Sequence, residues 1–262
     1  MAGRSAVLTG AASGLAQASA IGMARLGCHV TLVDINSEGL EETAATIREI
    51  GGSVTISVTD ASEPDQVSSL FAEISDAGRQ VDILVNAAFT HQRKRPEDLE
   101  YAEWVKTIDV CLGSYFLCSQ AAGKQMIRSG SGGSIINISS IAATTGMGRG
   151  NFAYSTAKGG VNALTRELAV EWAKHGIRVN AIQPCQFRTP PVNAWLASAD
   201  SEDQALVKHL VGGIPLGRFG EVDDIVGPVI FLASDASAMV SGVCLPVDGG
   251  NLALNAAGGD PR

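Results

Sequence analysis

A chain of 262 residues with 19 Lys and Arg against 27 Asp and Glu, a formal charge of −8, can bury one large core and is too acidic for a nucleic-acid footprint. Five cysteines without a Cys-x-x-Cys pair argue against a disulfide framework or a zinc site and suit a reducing compartment. The first residues lack the apolar core of a signal peptide and no run is long enough to span a bilayer, so a cytoplasmic protein with no metal, nucleic-acid or membrane partner is expected.

In chain order, residues 6–10 read as a buried strand and 14–27 as a helix ending at Gly27. Residues 29–34 form a second strand, and 38–50 an amphipathic helix closed by Gly51 and Gly52. Further strands are predicted at 54–60, 81–87, 133–140, 177–184 and 242–250, with helices at 64–77, about 99–129, 152–175 and 221–234. Apolar, β-branched runs alternating with helices imply a parallel sheet covered on both faces. The expected fold is therefore α/β: a doubly wound parallel sheet of about seven strands, one Rossmann-type domain over residues 1–262. The stretch 185–215, rich in Pro, Ser and Gly, reads as a long irregular segment, and residues 190–215 within it as a substrate lid.

Two conditions for a dinucleotide follow from position. The segment "TGAASGLA" (9–16) leaves the first strand and opens the first helix, so that Gly10, Ser13, Gly14 and Leu15 would let backbone approach a pyrophosphate at the helix N-terminus. A structural turn would read the same way in isolation. Asp34 ends the second strand, where a carboxylate takes both hydroxyls of a ribose and repels a 2′-phosphate; no arginine follows it. Its competing role, capping the next helix, is better filled by Asn36 or Ser37. Asp34 favours NAD over NADP.

"AYSTAKGG" (153–160) sets one of only three tyrosines four residues ahead of Lys158, on one helix face among small side chains. These eight residues alone also fit a half-buried Tyr beside a solvated Lys. A site that moves a proton at neutral pH would use the pair differently. A free phenol titrates near ~10, and lowering it by roughly three units takes about 4 kcal/mol of preferential phenolate stabilisation. A nearby ammonium and a cationic nicotinamide could supply much of that in a dry site. Ser140, ending "IINISS" at the carboxyl edge of the sheet, could donate a hydrogen bond to the same substrate oxygen, with Ser139 as the near alternative and a turn-capping role as the competing reading.

The glycine loop, the strand-two Asp, "NISS", "YSTAK" and the segment from "PLGRFGEVDDIVG" to "PVDGG" together resemble the short-chain dehydrogenase/reductase family over nearly the whole chain. The resemblance implies Tyr154 as acid/base, Lys158 as its electrostatic partner and Ser140 as the hydroxyl donor. It further implies that Asp60 and Ala61 meet the adenine and that Asn86 and Ala87 line the centre of the cofactor. Pro184 and Thr189 would lie at its nicotinamide half, where Tyr154 and Lys158 also contact it. The implied reaction moves a hydride between NAD(H) and a small secondary alcohol or ketone: a polyol, sugar or hydroxy acid if Arg149, His91 and Arg188 border the cleft. The implied assembly is a homotetramer, to which the apolar C-terminal segment 242–259 could contribute. The alternative is a catalytically silent NAD-binding sensor or scaffold.

Four positions depart from the family pattern. Ala16 replaces the last loop glycine, Asn86-Ala87-Ala88-Phe89 stands for Asn-Asn-Ala-Gly, and Cys185 follows Pro184 where glycine is usual. Cys111, in "IDVCLGSYF", replaces an asparagine that helps to hold a water linking the lysine to solvent. A thiol lacks the amide's paired donor and acceptor, so the polar bracing there is expected to be missing and any relay to run through the Cys111 carbonyl. Cys185 is expected to be a small pocket-lining thiol, with a nucleophile as the competing role.

Overall fold

The computed structural model describes residues 1–254. Its elements alternate as β1 (Ser5–Thr9), α1 (Gly14–Arg25), β2 (His29–Asp34), α2 (Ser37–Glu49), β3 (Val54–Val58), α3 (Pro64–Asp76) and β4 (Ile83–Asn86). The second half runs α4 (Tyr101–Ile108), α5 (Ser114–Ser129), β5 (Gly133–Ile138), α6 (Phe152–Trp172), β6 (Ile177–Pro184), α7 (Pro190–Ala197), α8 (Ser201–Gly212), α9 (Val226–Ala233) and β7 (Cys244–Val247). All strand pairs are parallel, and the order β3-β2-β1-β4-β5-β6-β7 reverses direction between β1 and β4. At that switch point the connections diverge to opposite faces and leave a crevice at the carboxyl ends of the strands.

Strand periodicity splits the core into two layers. Ala6 and Leu8 of β1 face one layer with Met23 of α1, Leu40 of α2 and Val229 of α9. Val7, between them, faces the other layer with Leu70 and Phe71 of α3 and Met126 of α5. Both faces of β1 are buried along its length, and this is why the strand reads as an unbroken apolar run.

Two segments differ from expectation. Residues 185–215 are largely helical: Pro190 and Pro191 open α7, where proline's fixed φ suits a first turn, and the Asp200 carboxylate caps α8 by accepting from the Glu202 and Asp203 amides at 2.9 Å. The helix at about 99–129 is interrupted at Asp109–Gly113 by a π-helical turn centred on Cys111. Of the C-terminal segment, residues 255–259 lie outside the described residues. No helix among the described residues is long and apolar enough to cross a membrane.

Candidate active site

The crevice begins where two strand ends nearly touch. Gly10 follows β1 with φ +71°, and a Cβ there would lie 2.8 Å from the Ala87 carbonyl oxygen at the end of β4. Only glycine meets both conditions. The Thr9 hydroxyl locks the two ends by accepting from the Ala87 and Ala88 amides at 3.0 and 3.3 Å. Gly14, also left-handed, starts α1, whose first turn carries no acidic residue. Ser13 precedes it with its hydroxyl uncommitted to capping. Free amides and the positive end of a helix dipole therefore face the crevice. Ala16, in place of the last glycine, is 2% exposed and packs into the core, so the substitution leaves the loop open.

Asp34 is held by this loop. One carboxylate oxygen accepts from the Ala12 amide at 3.2 Å and the other from the Asn36 amide at 3.0 Å, leaving lone pairs for a diol. Ile35 beside it is exposed and apolar. Asp60 is turned onto its own loop, its carboxylate accepting from the Ser62 amide and hydroxyl at 2.9 and 2.6 Å. The glycine cradle, the helix N-terminus and the Asp34 carboxylate fit a nicotinamide dinucleotide lying along a cleft of about 690 Å³. Gly10, Ser13, Gly14, Leu15, Asp34, Asp60, Ala61, Ala87, Pro184 and Thr189 all line that cleft.

Asn86 does not. It is fully buried, and its amide donates to the Ser119 hydroxyl at 3.0 Å and to the Asn137 side-chain oxygen at 2.9 Å, bracing β4 against α5 and β5. Strand alternation turns the Asn86 side chain away from the cleft that Ala87 faces, so the segment meets the cleft from Ala87 onward.

Ser140, Tyr154 and Lys158 meet at the other end of the cleft, brought there by the end of β5 and the first turns of α6. The Ser140 side chain lies close enough to the Tyr154 phenol to lower it. The serine oxygen also accepts from the Ala142 amide at 3.1 Å, so the turn-capping role and the site role coexist. Ser139 points elsewhere, donating to the Asn162 side-chain oxygen at 2.8 Å. Burial raises the Tyr154 phenol well above its usual range, and the Ser140 contact offsets only part of this. The chain alone thus does not lower the phenol. Burial is the reason, with Cys111 adding to it, while the Lys158 ammonium lies 5.6 Å from the centre of the Tyr154 ring.

Lys158 is 1% exposed. Its Nζ donates to the Tyr115 hydroxyl and to the Ile138 carbonyl, both at 2.8 Å, and lies 4.5 Å from the centre of the Tyr115 ring. Tyr115 in turn donates to the Ile138 carbonyl at 2.9 Å. Burial lowers the lysine to about 8, with Cys111 acting in the opposite direction. Tyr115 escaped the sequence reading. Its signal was present, since it stands four residues after Cys111 and so on the same face of the helix.

Cys111 also corrects an expectation. Its thiol donates to the Thr90 carbonyl at 3.2 Å and accepts from the Thr90 amide at 3.3 Å, so both roles of an amide side chain are kept, at the longer reach of sulfur. Cys185 lines the cleft, and burial pushes its thiol up to about 11, which leaves it protonated and a poor nucleophile. Phe89, 61% exposed, also borders the cleft, as do His91 and Arg149. Arg188 does not line it, being paired with Glu221 at 3.8 Å.

With this geometry in view, comparison with known proteins is consistent. Residues 10–251 match the family model described as enoyl-(acyl carrier protein) reductase. The chain is 36% identical to D-threitol dehydrogenase of Mycolicibacterium smegmatis over 95% of its length and 92% of that protein's. It is 37% identical to 2-dehydro-3-deoxy-D-gluconate 5-dehydrogenase of Escherichia coli over 96% of both. A solved Agrobacterium tumefaciens chain with bound NADP, provisionally assigned as 2-deoxy-D-gluconate 3-dehydrogenase, superposes with a TM-score of 0.87 at 36% identity, covering 97% of this chain and 98% of that one. The chain belongs to the short-chain dehydrogenase/reductase family. It is an oxidoreductase that moves a hydride between a nicotinamide cofactor and a secondary alcohol or ketone.

The buried lysine has a pH signature. A folded value near 8 against 10.5 for a free lysine means that the fold resists the charge. The cost is complete below about pH 8 and fades as pH rises and the folded state releases its proton first. Lys158→Met should therefore stabilise the cofactor-free chain below that pH, by up to roughly 3 kcal/mol, and the gain should shrink towards pH ~10. Urea unfolding of both proteins across this range measures it. Tyr115→Phe removes one acceptor from the ammonium and lowers it further, so the alkaline limb of the kcat profile, where Lys158 loses its charge, should move to lower pH by about one unit, a change that loss of packing alone would not produce.

Proposed function

We propose that this protein is an NAD-dependent dehydrogenase of a polyol, sugar or sugar acid, in which Tyr154 is the acid/base, Ser140 the hydroxyl donor and Lys158 the supporting cation. One observation carries the reading. Ser140, Tyr154 and Lys158, from the end of one strand and two turns of a helix, converge on the same cleft that Asp34 and the glycine loop open at its far end. The bound cofactor would accept the hydride from the carbinol carbon or return it to the ketone. In the oxidative direction the phenolate of Tyr154 takes the hydroxyl proton while the Ser140 O–H steadies the substrate oxygen. Lys158 favours the phenolate by its charge through space, with Tyr115 and Ile138 fixing the ammonium's position.

NAD is favoured over NADP by the bottom of the cleft. Around Asp34 it is lined by Val33, Ile35, Thr59, Asp60, Ala61 and Ser62, with no cation to meet a 2′-phosphate. The substrate class rests on the relatives that act on threitol and on a sugar acid. Helices α7 and α8 bring Pro191, Val192, Trp195 and Leu210 to the cleft, and the Trp195 indole donates to Asp203 at 2.8 Å, so the pair would move as one lid. Exposed Phe116 on α5 and Val170 on α6 support a homo-oligomer, and a tetramer is the family's usual form. Nothing in the site favours a silent scaffold, since the Ser-Tyr-Lys set is complete.

Tyr154→Phe keeps the ring and removes the proton carrier. Activity with a responsive alcohol, followed by nicotinamide absorbance, should fall at least ~10²-fold while NADH binding persists. Loss of less than about threefold would defeat the assignment. Asp34→Ala should lower the NAD-over-NADP preference of kcat/KM by at least about tenfold, the worth of one charge-assisted hydrogen bond. A wild type that favours NADP would overturn the cofactor reading.

A further inference from the structure

The cleft is electrically uneven. Its lining carboxylates, Asp34 and Asp60, both lie at the adenosine end. Beyond Lys158, the lining cations are Arg93, Lys106 and Arg149, with His91, whose charging burial disfavours, beside Tyr154 and no carboxylate among them, in a chain whose formal charge is −8.

Two of these cations, both exposed, have no ion-pair partner among the described residues. In the run Arg93-Lys94-Arg95, Lys94 is neutralised by Glu103 of α4 at 2.6 Å. Arg93 and Arg149 take part in no ion pair among the described residues. They are close enough that the Arg93 charge, together with burial, lowers Arg149. Their loops are fastened together, since the Lys94 amide donates to the Gly150 carbonyl at 3.3 Å and a Cβ on Gly150 would lie 2.8 Å from Lys94 backbone. His91 ties the same loops to the reacting end. It bonds the Asn151 side-chain oxygen at 2.7 Å, and its ring meets that of Tyr154 edge-on at 5.1 Å.

The backbone at Arg149 adds an independent sign. Gly148, Arg149 and Gly150 are consecutive left-handed residues, and Arg149 at φ +54° is the one non-glycine with positive φ among the described residues. Glycine would sit there with less strain, as it does on both sides. Backbone strain of this kind clusters at ligand clamps and active sites, and here it places a long charged side chain at the cleft.

We propose that Arg93 and Arg149 form an anion subsite at the substrate end of the cleft, and that the substrate carries a carboxylate which they hold while its secondary alcohol meets Tyr154. This rests on the dehydrogenase reading above and narrows it: of the neutral polyols and sugar acids on which relatives act, the acids fit. Guanidinium groups match a planar carboxylate through paired N–H donors, which an ammonium cannot do.

The test compares aldonates with the corresponding alditols (gluconate with glucitol first) as NAD-dependent substrates of wild type and of the double variant Arg93→Gln/Arg149→Gly. The glycine suits the left-handed backbone, so the fold is kept. In parallel, gluconate is titrated into the enzyme–NADH complex at low and high ionic strength. Wild type should prefer acids in kcat/KM by at least about tenfold, and the double variant should lose at least about tenfold of that preference, chiefly through KM. Gluconate binding should weaken with salt and with the double substitution. Alditols used as well as aldonates, with the ratio unmoved in the double variant, would overturn the subsite and leave the dehydrogenase intact. An arginine-dependent preference for an alditol phosphate over the aldonate would overturn the carboxylate. Gluconate binding that depends on the arginines, with no alcohol oxidised, would uphold the subsite and defeat the dehydrogenase reading. Neither binding nor turnover of any acid would overturn the proposal.

Discussion

The site depends on one buried charge. An ammonium out of water is tolerated only with acceptors around it, and Lys158 has two: the carbonyl of Ile138 at the end of β5 and the hydroxyl of Tyr115 on α5. This three-way contact fixes α5, α6 and the sheet edge relative to one another, and it sets where Tyr154, one turn earlier on α6, presents its phenol. Removing either acceptor would leave a charge with too few partners in a place water does not reach.

That arrangement changes how the tyrosine is activated. With Lys158 bonded to Tyr115 and Ile138, burial is the largest influence on the Tyr154 phenol and Cys111 adds to it, both raising it. In the proposed reaction the phenol's readiness to ionise would depend on the positive charge that a bound oxidised nicotinamide brings. Such coupling would tie acid/base chemistry to occupancy of the cleft. Cys111 shows the same economy of contacts. By bonding both backbone groups of Thr90 it anchors the π-helical turn to the loop that leads on to His91 and Arg93.

Charge also divides the cleft along its length. Asp34 and Asp60 line one end together with the glycine loop and the start of α1, and Arg93, Lys106 and Arg149 line the cleft elsewhere. A cofactor and an acidic substrate would each find one orientation favoured. The formal charge of −8 conceals this division, because a sum carries no position.

The sequence by itself determined the strands and their parallel pairing, because strands buried on both faces read as apolar runs. Spacing put Tyr154 and Lys158 on one helix face, and the family resemblance singled them out together with Ser140, Asp34 and the glycine loop. The tertiary structure alone decided the rest. It turned Asn86 into a brace between strands, made Tyr115 the partner of Lys158 across 43 residues, and folded 190–212 into two helices. It also set Arg149 beside Arg93 in a loop pair that no spacing links. The physical reason is common to all four: each outcome depends on which groups become neighbours when the helices close over the sheet, and contacts between distant segments leave no periodic trace in the chain.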